Sequence, residues 1–116
     1  MKRGIYTAMN IEFHSDNGRL FAELSGELDH HSAMEEKPRI EMKLSTNEEH
    51  EIIFDLSGLT FMDSSGISLI FGAYKIASEF GQKITVITEN ERFEKILTMA
   101  GMGEFVNIVT KRGELL

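Results

Sequence analysis

One short segment combines residue types suited to phosphate chemistry with a position that would expose them. Met62-Asp63-Ser64-Ser65-Gly66 joins an apolar run to a strongly periodic apolar stretch. Ser64 or Asp63 suits the N-cap of the following helix, where a side-chain oxygen accepts a hydrogen bond from an otherwise unpaired N–H. The same position suits a phosphoserine, which would meet free N–H groups and the positive helix end. The spacing alone therefore leaves two interpretations open, a structural cap and a phosphorylation site.

A second polar segment, Asp29-His30-His31, raises the question of a metal site. Adjacent histidines point about 100° apart on a helix and to opposite faces on a strand, so they do not converge on one ion. The i, i+4 spacing of helical zinc pairs is absent, and His14 and His50 lie in other segments. We therefore favour a polar loop with a capping role and expect no metal site.

Signatures of catalysis are missing around the serine pair. A nucleophile elbow requires G-x-S-x-G, and neither Ser64 nor Ser65 has glycine at both flanking positions. No glycine-rich phosphate loop follows a predicted strand. We expect a protein that is not an enzyme, with no catalytic residue and no cofactor.

The charge composition of the chain argues against some classes of binding partner. The chain has 116 residues, no cysteine, 12 Lys and Arg, and 19 Asp and Glu, giving a net charge of −7. An acidic chain without a basic block is a poor candidate for binding nucleic acid or anionic lipid. The longest uncharged stretch, residues 64–74, is too short for a transmembrane helix. We expect one cytoplasmic domain that binds neither nucleic acid nor membrane.

The first elements needed to position these segments form a hairpin. Residues 9–14 alternate apolar and polar side chains, which is the period of a strand. Asn17-Gly18 follows, and this pair is a strong hairpin signal because both turn residues need positive φ. The return strand is predicted from Leu20 to Leu24, with Gly26 ending it.

The next segment, residues 32–46, is predicted to be a helix with a disturbed start. Ser32 and Glu35 have the spacing of a capping box. Pro38 would lack a donor and clash with a carbonyl in a regular helix, at a cost of about 3 kcal/mol. We therefore expect a kink or a late helix start near residues 35–38.

The remaining segments alternate between strand and helix. They are a buried strand at 52–56, a helix with an apolar stripe from Ile67 to Ala77, a strand at 83–88, a short helix around 93–100, and a pairing segment at 105–109. The order β-β-α-β-α-β-α-(β) predicts an α/β fold, in which a mixed sheet is antiparallel at the first strand and otherwise parallel. Functional loops are expected at the carboxyl ends of the parallel strands, over residues 26–32 and 57–66.

Two motifs at the right distance carry a family resemblance. Gly26-Glu27-Leu28-Asp29-His30-His31-Ser32 and Leu59-Thr60-Phe61-Met62-Asp63-Ser64-Ser65-Gly66 resemble the conserved loops of STAS-domain anti-anti-sigma factors, most closely the stage II sporulation protein AA branch. The likeness extends over about residues 9–110. It implies one STAS domain at 9–112. We expect residues 1–8 to be an N-terminal extension, and whether this extension is disordered is left open.

The resemblance implies a partner-switching cycle. The unphosphorylated protein would bind an anti-sigma factor that is an ATP-dependent serine kinase, and so free a sigma factor. The kinase would then phosphorylate Ser64, and a PP2C-type phosphatase would restore the protein, which we expect to be a monomer when free. The resemblance also implies a partner surface made of Asp29, Phe61, Met62, Asp63, Ser65 and Gly66.

Other interpretations share part of this pattern. A STAS regulatory module that binds a small ligand, or that acts within a larger signalling assembly, would have the same fold and the same serine. The match over residues 26–32 argues against it. A small hydrolase would need a base near Ser64, and the sequence supplies none. The chain departs from the family at residues 35–38, where a proline interrupts the usual amphipathic run, and this leaves the seating of the first helix open.

Overall fold

The order of strands and helices follows the order predicted from the sequence. A computed structural model describes residues 8–111, 113 and 115. Within these residues the elements are β1 (Asn10–Asp16), β2 (Arg19–Leu28), α1 (His30–Thr46), β3 (Glu51–Met62), α2 (Ser65–Glu79), β4 (Lys83–Ile87), α3 (Glu91–Met99), a 3₁₀ turn (Met102–Glu104) and β5 (Asn107–Val109).

The strands form one sheet in chain order. β1 pairs antiparallel with β2, and β2, β3, β4 and β5 pair in parallel, each with the next. The turn between β1 and β2 has φ of 53° at Asn17 and 76° at Gly18, as the Asn-Gly signal requires. The predicted mixed α/β sheet is confirmed.

The main core lies between the helices and one face of the sheet. Successive strand residues point to opposite faces, so Leu20 and Ile52 meet the helices while Phe21 and Ile53 face away. The helix side chains buried in the main core include Ile40, Leu44, Ile70, Ala73, Phe93 and Leu97. A smaller cluster of Phe21, Ile53 and Ile87 lies on the other face, where Leu115 packs against it.

Strands β2 and β3 are both longer than predicted. Gly26 does not end β2, because it adopts φ of 89° at a register shift and pairing resumes as far as Leu28 and Met62. Such bulges let a strand bend without ending. The two expected loops are therefore mostly strand and helix, and what remains of them is the short connection between the strand and the helix, Asp29 in one and Asp63-Ser64 in the other.

Helix α1 begins earlier than predicted and runs unbroken through Pro38. The expected late start is wrong, whereas the expected kink stays a prediction. Asp29 caps the helix and Ala33, Ile40 and Leu44 are buried. These contacts offset the cost of one interior proline, which is about 3 kcal/mol.

The ends of the chain are only partly described. Ala8, which we predicted to belong to the N-terminal extension, forms an isolated parallel bridge with Glu27. The rest of that predicted extension, residues 1–7, lies outside the described residues, as does residue 112 at the predicted end of the domain. None of the helices that the structure describes has the length and apolar character needed to cross a membrane.

Candidate functional site

The two polar segments singled out in the sequence meet at one edge of the sheet. β2 and β3 are adjacent and parallel, and their last paired residues are Leu28 and Met62. Asp29 and Asp63 follow directly, and the Asp63 N–H donates to the Leu28 carbonyl at 3.4 Å. Each aspartate lies at the start of a helix, so the starts of α1 and α2 are side by side.

The start of α1 is closed by reciprocal hydrogen bonds. The Ser32 N–H donates to Asp29 Oδ1 at 2.9 Å, and the Asp29 N–H donates to Ser32 Oγ at 3.0 Å. The Ser32 hydroxyl also donates to the Glu27 carbonyl at 3.0 Å, and Ser32 is only 3% exposed. The capping box therefore joins Asp29 and Ser32, and the predicted box of Ser32 and Glu35 is wrong.

The hydrogen bonds of this cap stabilise the charged form of the Asp29 carboxyl group. The hydrogen bond from the Ser32 N–H, helped by the Ser32 hydroxyl and by His31, lowers the pKa of Asp29 below its ordinary value, against a smaller effect of burial. Asp29 is thus held as a carboxylate. The capping role predicted for this segment is present in the structure.

The start of α2 is arranged differently. The Ser65 N–H donates to Asp63 Oδ1 at 2.8 Å, and the Gly66 N–H donates to the Asp63 carbonyl at 3.0 Å. The N–H groups of Ile67 and Ser68 donate to the Ser64 carbonyl at 3.0 and 3.4 Å. Asp63 therefore supplies the side-chain cap. The expectation that a phosphate on Ser64 would meet free N–H groups is wrong for these four residues.

The side chain of Ser64 is left without a hydrogen-bond partner among the described residues. It has helical backbone angles, is exposed, and makes no side-chain capping hydrogen bond. Within the described residues, its hydroxyl takes part in no hydrogen bond. A serine nucleophile would need a base within hydrogen-bond reach of its hydroxyl, and the described residues supply none. An exposed and unbonded hydroxyl at a capped helix start is instead suited to accept a group from another protein.

Two of the six predicted partner-binding residues are buried. Met62 is 3% exposed, and Gly66 lies beneath it, so neither offers a side chain to a partner. A Cβ on Gly66 would lie 2.7 Å from Met62 Sδ and 3.2 Å from Leu28 Cδ2. Their burial gives these two residues a supporting position under the helix start, and their predicted direct contact with a partner stays a prediction.

The other predicted residues lie at the surface. Phe61 is 41% exposed, and Asp29, Asp63 and Ser65 are half-buried. All four, like Ser64, lie near the carboxyl ends of β2 and β3, where these two strands pair as far as Leu28 and Met62. An apolar ring beside carboxylates and hydroxyls is a composition suited to recognition by another protein.

The sequence did not point to the part of α1 that faces this region. His30, Ala33, Met34 and Lys37 line a groove between α1 and α2. His30 was singled out only as part of a polar loop, and the other three were overlooked because the helix was expected to start late, although the i, i+3, i+4 and i+7 spacing was a usable signal. The neighbouring His31 lies outside the groove lining, with its Nε2 3.3 Å from Glu35 Oε2. The described residues contain no group of three or more side chains able to hold a metal ion.

Comparisons with known proteins agree with this architecture. The chain is 32% identical over 100 residues to the anti-sigma F factor antagonist of Paenibacillus polymyxa, covering 86% of each chain. It superposes on the crystal structure of an anti-sigma factor antagonist from Mycobacterium paratuberculosis with a TM-score of 0.81 at 15% identity, covering 92% of this chain and 90% of that one. The unphosphorylated form of the anti-sigma factor antagonist SpoIIAA gives a TM-score of 0.75 at 21% identity, covering 91% and 93%. The STAS domain family matches residues 8–115, and the chain belongs to that family.

Proposed function

We propose that this protein is an anti-sigma factor antagonist. In this proposal the unphosphorylated chain binds an anti-sigma factor that is also a serine kinase, and the sigma factor held by that kinase is released. The observation that carries the proposal is the state of Ser64, exposed and unbonded at the start of α2 beside the Asp29 cap. The names of the relatives support the same function.

The partner surface in this proposal is the exposed part of the site. Asp29, Phe61, Asp63 and Ser65 reach the surface, as Ser64 does, whereas Met62 and Gly66 are buried. Phe61 supplies an aromatic anchor, a residue type enriched at protein interfaces. Asp29 supplies a fixed carboxylate for a cationic group of the kinase. A kinase seated here would have its ATP directed at the Ser64 hydroxyl.

The chemistry of the phosphorylation step belongs to the kinase. Ser64 Oγ attacks the γ-phosphorus of ATP, the bond to the β,γ-bridging oxygen breaks, and ADP leaves. The serine proton passes to a base of the kinase, which also holds the Mg²⁺. A PP2C-type phosphatase then hydrolyses the phosphate ester and restores the hydroxyl. This chain contributes an accessible acceptor in a defined position.

The phosphate would reverse the interaction by electrostatics. Phosphoserine adds about −1.5 to −2 charges at pH 7, and Ser64 is next in sequence to Asp63 and beside the Asp29 segment. Moving a complex from mostly bound to mostly free needs about 5.5 kcal/mol of differential affinity. An unpaired charge buried in the interface is costly enough to supply it without refolding of the backbone.

The test mixes the protein with an anti-sigma factor kinase from the same organism and ATP. We expect mass spectrometry to place the phosphate on Ser64, and we expect the phosphorylated protein to leave the kinase in a pull-down. Ser64→Ala should take up no phosphate and should still bind, whereas Ser65→Ala, the matched control, should be labelled.

Two outcomes would contradict parts of this proposal. Undiminished labelling of Ser64→Ala would move the acceptor, with Ser65 as the next candidate. A chain that binds no anti-sigma kinase in either state would favour the alternative, a STAS regulatory module with another ligand or assembly.

A further inference from the structure

A groove between α1 and α2 begins one residue beyond Ser64. It has a volume of about 180 Å³. Its lining residues are His30, Ala33, Met34, Lys37, Ser65, Ser68 and Leu69. Its α2 wall carries two hydroxyls, and its α1 wall carries an imidazole and an ammonium group. The rest of the lining, Ala33, Met34 and Leu69, is apolar, so these four polar side chains are the lining groups that could hold an anion.

A phosphate on Ser64 would have few partners on its own backbone. The N–H groups of the next four residues already donate to the side chain or carbonyl of Asp63 and to the Ser64 carbonyl. The carboxylates of Asp63, the preceding residue, and of Asp29, at the neighbouring helix start, repel an anion. A stable position for the phosphate therefore depends on side chains outside the turn.

The groove lies on the side of α2 where such a phosphate would extend. Ser64 and Ser68 are four residues apart on continuous helical backbone, so they share one face of α2. Ser68 lines the groove, as does Ser65. Across the groove, His30 and Lys37 are both exposed. Lys37 Nζ is 3.9 Å from Glu41 Oε2, an exposed pair of little strength that a dianion can displace.

We propose that this groove is an intramolecular receptor for the Ser64 phosphate, with Lys37 and His30 supplying positive charge and the Ser65 and Ser68 hydroxyls supplying hydrogen bonds. The inference rests on the proposed function only for the presence of the phosphate.

The receptor gives phosphorylation a second effect on the partner surface. A phosphate held in the groove draws the Lys37 and His30 side chains over it. Met34, which is 63% exposed at the groove, then borders a charged cluster instead of an open apolar edge. The phosphorylated surface would thus differ in both charge and shape.

The test needs no kinase. Phosphoserine is installed at position 64 during synthesis, and ³¹P NMR follows the second ionisation of the phosphate. Lys37→Gln, His30→Gln and the double variant are compared with the controls Lys95→Gln, an exposed α3 lysine, and His31→Gln, whose imidazole pairs with Glu35. Thermal unfolding checks that every variant is folded. If the double variant does not fold, the phosphate pKa values of the two single variants are used instead.

We expect the second pKa of the phosphate, ordinarily about 6, to be lower in the parent protein than in the double variant by about 0.5 or more, since nearby cations favour the dianion. The controls should match the parent. Asp29, Asp63, Glu35 and Glu41 are present in all of these proteins, so the comparison isolates the charges of Lys37 and His30.

An unchanged phosphate pKa in the Lys37 and His30 variants, or equal changes in the two controls, would overturn the receptor. This outcome is separate from failure of the proposed function. If the kinase does not label Ser64, the proposed acceptor is lost, while the titration of installed phosphoserine still decides whether the groove binds phosphate.

Discussion

The starts of α1 and α2 are two versions of one arrangement. Each follows the carboxyl end of a parallel strand, and each begins with an aspartate, in Asp29-His30-His31-Ser32 and Asp63-Ser64-Ser65-Gly66. At α1 the helix begins directly after the aspartate, whereas at α2 one residue, Ser64, stands between them. The third residue after the aspartate is a serine in the first case and a glycine in the second.

These small differences separate a structural serine from an available one. The Ser32 hydroxyl is buried and bonded to Asp29 and to the Glu27 carbonyl, so it closes the helix start. The Ser64 hydroxyl is exposed and unbonded, because Asp63 has already capped the helix. Residue type alone does not distinguish the two serines. Their availability for chemistry depends on whether another group has satisfied the backbone first.

Exchanging serine for alanine at the two starts should give the largest contrast. Ser64→Ala should abolish phosphate incorporation and change the free energy of unfolding by no more than about 0.5 kcal/mol, as at other exposed sites. Ser32→Ala should remain a substrate and lose about 1–3 kcal/mol, because a buried carbonyl and N–H lose their partner. Phosphopeptide mapping and urea unfolding measure the two effects. Loss of stability in Ser64→Ala would remove the distinction between the starts.

The glycine at the start of α2 offers the next contrast. Gly66→Ala places a Cβ against Met62 and Leu28, and overpacking of this kind costs about 1–3 kcal/mol, more than alanine gains in helix propensity. Gly72→Ala on the same helix meets nothing within 4 Å and should stabilise by about 1 kcal/mol. Thermal unfolding compares the two variants. Equal stabilisation by both would show that Met62 moves aside freely.

Local signals in the sequence were sufficient for much of the fold. The Asn17-Gly18 turn, the periodic stripe of α2 and the alternation of elements led to the correct mixed sheet. The ends of β2 and β3 were missed because their pairing is between segments far apart in sequence and passes through the bulge at Gly26. The start of α1 was missed because the local cost of Pro38 was given more weight than the Asp29 cap.

The candidate site was predicted in outline for a topological reason. Neighbouring parallel strands end at the same edge, so Asp29 and Asp63 had to lie close together. The burial of Met62 and Gly66 could not be predicted from the sequence, because it depends on how the end of β3 packs against the start of α2. The roles of Ser32, Lys37 and Met34 depended on where α1 begins, which the sequence misplaced.

A substitution at Asp29 separates its capping role from its charge. Asp29→Ala should lose about 1 kcal/mol of stability, the usual value of an N-cap side chain. Asp29→Asn keeps an acceptor oxygen and should stay within about 0.5 kcal/mol of the parent, because asparagine caps as well as aspartate. Kinase binding, measured by calorimetry, should fall in both variants. Unchanged binding by Asp29→Asn would leave Asp29 with a structural role only.

The smallest expected effect is the pH dependence of the α1 cap. Because the pKa of Asp29 is lowered on folding, its charged form stabilises the fold above the ordinary carboxyl pKa of 3.8, and this contribution is lost as the pH falls through the lower folded pKa. Asp29→Asn cannot lose it. As the pH falls from about 5 to 3, the free energy of unfolding of the parent, measured by urea unfolding, should therefore decrease relative to that of Asp29→Asn. Parallel curves for the two proteins over this range would mean that Asp29 binds its proton equally well in the folded and unfolded chains, and the α1 cap would then owe its strength to geometry alone.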